Sequence, residues 1–178
     1  MIETPRLVLR SYREADREAF AALNSDAQVG AWLAGTLDRG GSDALMDRIN
    51  AHIAQHGFGF WAAERKADGR LVGMVGLATV EAGALPVEPG IEMGWRMLPA
   101  VWGQGLATEG ARAALEWGFS NLNVDEIIAF TARSNLASQA VMRKIGMAPS
   151  PARDFDHPRL AREHPLRPHV VFAAARTD

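Results

Sequence analysis

The spacing of apolar residues changes along the first half of the chain and predicts a succession of strands and helices. Thr4 to Arg10 alternates polar and apolar residues after a proline, which is typical of a strand at a sheet edge. Helical spacing follows and predicts helices over about 14–25 and 42–56, with Ser42 capping the second and Gly57 ending it. A period of two then predicts strands over 58–65, 71–80 and 91–97.

The second half alternates between the two patterns. It predicts a helix, a strand, a helix and a last strand over about 105–120, 126–131, 135–145 and 170–174. The first of these helices joins two strands, so their connection is expected to be a right-handed parallel crossover. The order of elements predicts an α/β fold with one mixed sheet and helices on its faces. No linker or repeat divides the chain, so residues 1–178 are expected to form one domain.

Composition and charge exclude several classes of function. The chain has 178 residues, of which 48% are hydrophobic and 22% charged, as in ordinary globular proteins. Its 19 basic and 21 acidic residues leave a net charge of −2, so no nucleic-acid partner is indicated. Neither a signal peptide nor a membrane-spanning run is indicated, so we expect a cytoplasmic protein without a membrane partner. The absence of cysteine excludes disulfides, thiolate metal sites and a cysteine acyl-enzyme.

The segment after the strand 91–97 carries the most specific pattern. A proline turns the chain, and Gly103 and Gly105 precede a predicted helix. Glycine lets backbone N–H groups approach a ligand, and the first turn of a helix offers unpaired N–H groups to a phosphate. Three interpretations are open: a packing turn, a dinucleotide-binding turn, or a turn that binds the pyrophosphate of coenzyme A. The dinucleotide pattern fits poorly, because Thr108 stands at its third glycine and Asp125 precedes the next strand instead of ending it.

The third interpretation is supported by a resemblance. The acetyl-CoA motif of the GNAT superfamily of N-acetyltransferases resembles the segment Leu98-Pro99-x-x-Trp102-Gly103-Gln104-Gly105-x-Ala107-Thr108-Glu109. Trp102 stands where the superfamily usually has glutamine or arginine, and an aromatic residue there resembles the branch of ribosomal-protein N-terminal acetyltransferases. Further segments resemble that branch in the same order, and the match covers residues 4 to about 147. They are Thr4–Arg10, Gly57–Ala62, Leu71–Leu77, Ile91–Arg96 and Ser134–Met147.

The resemblance implies a fold, a cosubstrate and its contacts. In GNAT folds the fourth and fifth strands splay apart, here 91–97 and 126–131, and acetyl-CoA lies in the cleft. The backbone of Trp95, Met97 and Leu98 would then contact the pantetheine arm, with the Met97 N–H near the thioester oxygen. The pyrophosphate would meet the segment of the glycine turn, namely Gly103, Gln104, Gly105, Leu106, Ala107 and Thr108.

The expected reaction is direct acetyl transfer from acetyl-CoA to a primary amine, either a small amine or a peptide N-terminus. Glu92 alternates with Ile91 and Met93, and is a candidate general base, or else a solvated or ion-paired residue. Many GNAT enzymes have a tyrosine acid where this chain has Met142. The related N-terminal acetyltransferases use a serine, so Ser138 is the candidate acid. Alternatively, Ser138 only points to solvent.

Asn135 is a candidate for contact with pantetheine, and it is equally explained as a helix N-cap. Trp32, Glu92 and His157 are candidates for contact with the acceptor. His157 lies in Asp154–Pro158, where a self-hydrogen-bonded turn is the alternative. No metal is expected, because the tail histidines lack the spacing of a helical ligand pair.

Two other classes of function stay open at this point. One is a non-catalytic acyl-CoA-binding or sensing module, which the missing tyrosine favours. The other is a nicotinamide-dependent enzyme that uses the glycine turn. By resemblance alone, the chain is expected to be a monomer or a homodimer.

Overall fold

The computed structural model describes residues 1–33 and 35–176 of the chain. Its centre is a mixed sheet in the order β1-β2-β3-β4-β5-β6-β9-β7, with β8 also paired to β9. The strands are β1 Ile2–Glu3, β2 Leu7–Arg10, β3 Phe60–Arg65, β4 Arg70–Val80, β5 Gly90–Met97, β6 Glu126–Ala132, β7 Ala148–Pro149, β8 Phe155–Asp156 and β9 Pro168–Ala175. All pairs are antiparallel except β5 with β6, which is the predicted parallel crossover.

Helices cover both faces of this sheet. They are α1 Arg17–Ser25, α2 Ala27–Gly30, α3 Arg39–His56, α4 Leu106–Asn121 and α5 Leu136–Lys144. One core forms where Phe20 of α1 and Met46 of α3 meet Ala62 and Met74 of the sheet. A larger core on the other face packs α4 and α5 against the sheet. The predicted fold class, an α/β sheet with helices on both faces, is therefore confirmed.

Several boundaries differ from the prediction, each for a local reason. Asp38 caps α3, because its side chain accepts a hydrogen bond from the Gly41 N–H. Ser42 is instead buried within the helix and accepts a hydrogen bond from Asn24, so the prediction of Ser42 as the cap was wrong. The strand β2 is not the sheet edge, since β1 pairs along its outer side. The predicted helix over 14–25 begins with a 3₁₀ turn before α1.

The sheet opens between β5 and β6. Their pairing is recorded only at Ile91 with Ile127 and at Glu92 with Ile128. Beyond Glu92, β5 continues to Met97 on the β4 side alone. The backbone edge of Met93 to Met97 therefore faces a groove instead of a neighbouring strand. This is the splay that the resemblance implied between the fourth and fifth predicted strands.

Candidate active site

The groove between the parted strands widens into a cavity of about 660 Å³, a volume typical of a small-molecule site. Its walls are β5, the glycine turn with the start of α4, the end of β6, α5 and the loop after α2. Eleven of the predicted site residues line it: Trp32, Trp95, Met97, Gly103, Gly105, Leu106, Ala107, Thr108, Asn135, Ser138 and His157. Glu92, Leu98 and Gln104 are not among its lining residues. The cavity thus brings most of the predicted site together.

The glycine turn leaves backbone donors free. Gly103 and Gly105 adopt positive φ angles of 74° and 77°, which glycine tolerates without strain. Gly105 is the N-cap of α4, and no side chain of the described residues caps that helix. The first hydrogen bond of the helix is from the Glu109 N–H to the Gly105 oxygen. The N–H groups of residues 106–108 therefore have no partner within the helix.

The start of the chain is tied to this turn. Glu109 accepts hydrogen bonds from the Thr4 hydroxyl at 2.6 Å and from the Arg6 backbone N–H at 2.8 Å. Its other oxygen accepts from Arg6 Nε at 2.6 Å. The same guanidinium donates to the carbonyl of Gln104 at 2.9 Å. We refer to Thr4, Arg6 and Glu109 as the N-terminal clamp.

The edge of β5 presents polar backbone groups to the groove. The Leu98 N–H donates to the Val72 oxygen at 2.9 Å. Because bonded and non-bonded residues alternate in an antiparallel pair, the N–H groups of Trp95 and Met97 point away from β4, into the groove. The Met97 carbonyl accepts a hydrogen bond from Trp102 Nε1 at 2.8 Å. The aromatic residue that replaces the usual glutamine or arginine thus fixes the turn to the strand end.

The side chains of Asn135 and Ser138 lie at the start of α5 on the opposite wall. Asn135 caps the helix, because its Oδ1 accepts from the Ser138 N–H at 3.1 Å. Its side chain is buried at the cavity wall, with 8% of the residue exposed. The Asn135 Nδ2 and the Ser138 hydroxyl form no hydrogen bond within the described part of the chain. Both roles considered for Asn135 are therefore compatible with the structure.

Glu92 lies on the face of β5 that carries Gly94 and Arg96, opposite the buried Met93. Burial raises the pKa of its carboxyl to about 7. No hydrogen bond or salt bridge to the Glu92 side chain occurs among residues 1–33 and 35–176. A carboxylate with this pKa changes charge near neutral pH, which suits a general base. It lies outside the cavity lining, so its role stays a prediction.

The loop after α2 and the tail form the far end of the cavity. Trp32 and Leu33 are exposed there, with 41% and 46% of each residue accessible. His157 belongs to a ring cluster in which its centroid lies 5.0 Å from that of His169. Burial is the main reason that the pKa of both imidazoles is lowered. His157 Nδ1 also accepts a hydrogen bond from the Arg159 N–H at 3.3 Å. His157 therefore takes part in a self-hydrogen-bonded turn and lines the cavity as well.

The cavity includes residues that sequence reasoning missed. His169, Phe130 and Leu166 come from the tail and β6, and no local pattern relates them. The position of Arg96 could have been predicted from the sequence. It alternates with Glu92 and Gly94 along β5, so all three share one face of the strand. Lys144 adds a positive charge at the end of α5.

Comparison with known proteins then identifies the family. Residues 6–148 match the family model described as "Acetyltransferase (GNAT) domain". This chain belongs to the GNAT acetyltransferase family. A relative from Aspergillus fumigatus, "FsC-acetyl coenzyme A-N(2)-transacetylase", is 32% identical over 152 residues, covering 82% of this chain and 64% of the fungal protein.

Solved structures agree in fold. A GNAT-family acetyltransferase from Bacillus anthracis has a TM-score of 0.78 at 22% identity, covering 98% of this chain and 97% of its own. Spermidine N-acetyltransferase from Vibrio cholerae, solved with CoA and spermine, has a TM-score of 0.73 at 17% identity, covering 97% and 96%. At such identities the likeness concerns the fold alone.

The expected enzyme class is confirmed. As a GNAT family member the chain is an acetyltransferase, and acetyl-CoA is its cosubstrate. The nicotinamide and the non-catalytic alternatives are not supported by this family. No helix within residues 1–33 and 35–176 is long and apolar enough to span a membrane. Over the same residues, no group of three or more histidine or acidic side chains is placed to hold a metal ion.

Proposed function

We propose that this GNAT acetyltransferase transfers the acetyl group of acetyl-CoA directly to a primary amine, without a covalent enzyme intermediate. The observation that carries the proposal is the groove beside β5, which begins where β6 parts from it and ends at an uncapped helix N-terminus. The chain has no cysteine to take up the acetyl group. The acceptor enters from the side of Trp32 and His157, as a small amine or a peptide N-terminus.

The residues at the glycine turn fit a pyrophosphate. A Cβ built on Gly103 meets nothing within 4 Å, so the turn stays open to a ligand. Residues 106–108 present free N–H groups at the positive end of the α4 dipole. Lys144 adds charge on the facing wall. Neither Leu98 nor Gln104 lines the cavity. The Leu98 N–H donates to the Val72 oxygen of β4, and the Gln104 side chain donates to the Ala100 carbonyl at 3.0 Å, so we give both residues weaker roles.

The remaining residues would act on the reacting groups. The N–H groups of Trp95 and Met97 point into the groove where they can bind the thioester oxygen, and such a donor is typically worth about 10²–10³ in rate. Ser138 donates the proton of its hydroxyl to the departing thiolate and takes up another from water. Glu92 takes up the proton of the amine, directly or through water, at a pH near its raised pKa. Three further points stay predictions. They are the resemblance to the branch of ribosomal-protein N-terminal acetyltransferases, the cytoplasmic location and the oligomeric state.

The first experiment is a thermal melt with acetyl-CoA, CoA and NADH in separate samples. A ligand at about 100 times its Kd adds about 2.7 kcal/mol of stability, which raises Tm by several degrees at this size. We expect both CoA compounds to raise Tm, and NADH not to. An amine panel with detection of released CoA thiol then tests transfer. Binding without thiol release on any amine would contradict the proposed reaction.

A further inference from the structure

A half-buried arginine at the acceptor end of the cavity lacks an acidic partner among the described residues. Arg96 lies on the same face of β5 as Glu92, and it lines the cavity with Val29 and Trp32. Its Nη1 donates to Asn24 Oδ1, which joins β5 to the end of α1. Arg96 takes part in no salt bridge among residues 1–33 and 35–176. A guanidinium taken out of water without a counter-charge is costly, and proteins ordinarily pair it.

Another arginine on this side of the sheet shows how such a group is ordinarily satisfied. Arg10 is 6% exposed and pairs with Asp16 at 2.6 Å and with Glu64 at 2.6 Å. Both carboxylates accept hydrogen bonds from its guanidinium. Among the described residues, Arg96 meets only the neutral amide of Asn24. Arg96 therefore has a place for a negative charge that these residues do not supply.

One group of the guanidinium stays accessible to a ligand. Nη1 is held by Asn24, and Nε is buried without a hydrogen-bond partner among the described residues. Nη2 therefore remains to donate a charge-assisted hydrogen bond to a carboxylate in the cavity. The hydroxyl of Tyr12 is also buried and has no hydrogen-bond partner in the described part of the chain. Tyr12 is close enough to influence the pKa of Arg96, so a further donor stands nearby.

We propose that Arg96, held by Asn24, binds a carboxylate of the acceptor, so that this enzyme acetylates amines that also carry a carboxylate group. The proposal rests on the proposed acetyl transfer to an amine. Arg96 is two residues beyond Gly94 on the strand whose backbone faces the thioester groove, so one small molecule can reach both. Val29 and Leu33 make the surrounding wall partly apolar, which suits a short hydrocarbon body between the two groups.

The test compares acceptors that differ only in the acidic group. The series are L-leucine with L-leucinamide, and β-alanine with β-alaninamide and 2-aminoethylphosphonate. The amide changes the pKa of the amine as well, but that effect cancels when the acid-to-amide ratio of kcat/KM is compared between enzyme variants. One charge-assisted hydrogen bond between Arg96 and the carboxylate predicts that Arg96→Gln lowers this ratio about 10- to 100-fold. The phosphonate distinguishes a carboxylate site from a phosphate site.

A second variant keeps the arginine in place. Asn24→Asp puts a carboxylate beside Arg96 and is expected to lower the acid-to-amide ratio in the same way, by occupying the guanidinium. The matched control is Arg70→Gln, because the Arg70 side chain is 79% exposed at the β3–β4 hairpin, away from the cavity. That control is expected to leave the ratio unchanged. The melt with acetyl-CoA verifies that each variant is folded and binds the cosubstrate.

The outcomes separate the two proposals. Acetylation of the acids with a ratio that falls in both variants supports the carboxylate site. A ratio that is the same in the unaltered enzyme, Arg96→Gln and Asn24→Asp overturns the inference and leaves acetyl transfer standing. A preference of the unaltered enzyme for 2-aminoethylphosphonate over β-alanine also overturns it. If no acid, amide or polyamine releases thiol from bound acetyl-CoA, the proposed function fails and the inference fails with it.

Discussion

Replacing Gly105 by alanine perturbs the candidate pyrophosphate site at one backbone position. Gly105 has a φ of 77°, and a Cβ there would contact only Arg6 Nη2 at 3.5 Å. Space is therefore not the difficulty, and the cost comes from the left-handed backbone. An alanine either remains strained or rotates away. In the second case the N–H groups at the start of α4 turn away from the groove.

The magnitude separates folding from binding. Alanine in a left-handed conformation costs about 1–2 kcal/mol. For a chain of 178 residues this lowers Tm by about 2–8 °C. Losing one hydrogen bond to a charged phosphate costs a further 1.5–3 kcal/mol or so, which weakens CoA binding about 10- to 100-fold. The fold should survive, since no core side chain is displaced.

A second glycine provides a matched control. Gly69 lies in the turn between β3 and β4 and has a φ of 67°. A Cβ added there would meet nothing within 4 Å. Gly69→Ala should therefore lower Tm by a similar amount without affecting the cavity. Thermal melts and calorimetric titration with CoA measure both effects. If Gly105→Ala binds CoA as tightly as Gly69→Ala does, the glycine turn is not the pyrophosphate site.

Three further variants test single side chains. Because burial raises the pKa of Glu92 to about 7, its ionisation destabilises the folded state above neutral pH and not below about pH 4.5. Glu92→Gln should therefore gain up to about 3 kcal/mol of stability at pH 8 and little at pH 5. The variant should also lose the rise of kcat/KM with pH near 7. A difference in Tm between the variant and the unaltered protein that is the same at both pH values would contradict this burial. Ser138→Ala should lower kcat about 10²- to 10⁴-fold without weakening CoA binding. Ser134→Ala, at an exposed position, serves as its control, and an unchanged kcat in Ser138→Ala would exclude Ser138 as the acid. Asn135→Asp should keep the helix cap and Tm, whereas Asn135→Ala loses about 1 kcal/mol. Weaker CoA binding in both would assign the Asn135 amide a cavity role, and unchanged binding would leave it only the cap.

Elements with a clear local signal could be predicted from the sequence. The long helices and strands have repeated apolar positions, and Gly57 and Gly69 mark a helix end and a hairpin by needing positive φ. The strands β1, β7 and β8 were missed because two residues cannot show a period. The short α2 was missed for the same reason.

The chemistry of the site depended on contacts that no local pattern contains. Alternation placed Glu92 opposite Met93, but its raised pKa depends on how the face is covered by distant elements. Arg96 meets Asn24 across 72 residues of sequence, and only the folded chain shows that no carboxylate of residues 1–33 and 35–176 accompanies it. The glycine turn could be predicted because its function lies in the backbone and needs few side chains.

The N-terminal clamp limits how sequences with this turn can change. Glu109 takes three hydrogen bonds from Thr4 and Arg6, more than 100 residues earlier. Loss of Glu109 alone would leave Arg6 without its acid, while loss of Arg6 alone would leave a negative charge beside the helix end that awaits an anion. Each single loss is expected to weaken the contact between the glycine turn and the segment that joins β1 to β2. We therefore expect these two segments to tolerate substitution only when both change together.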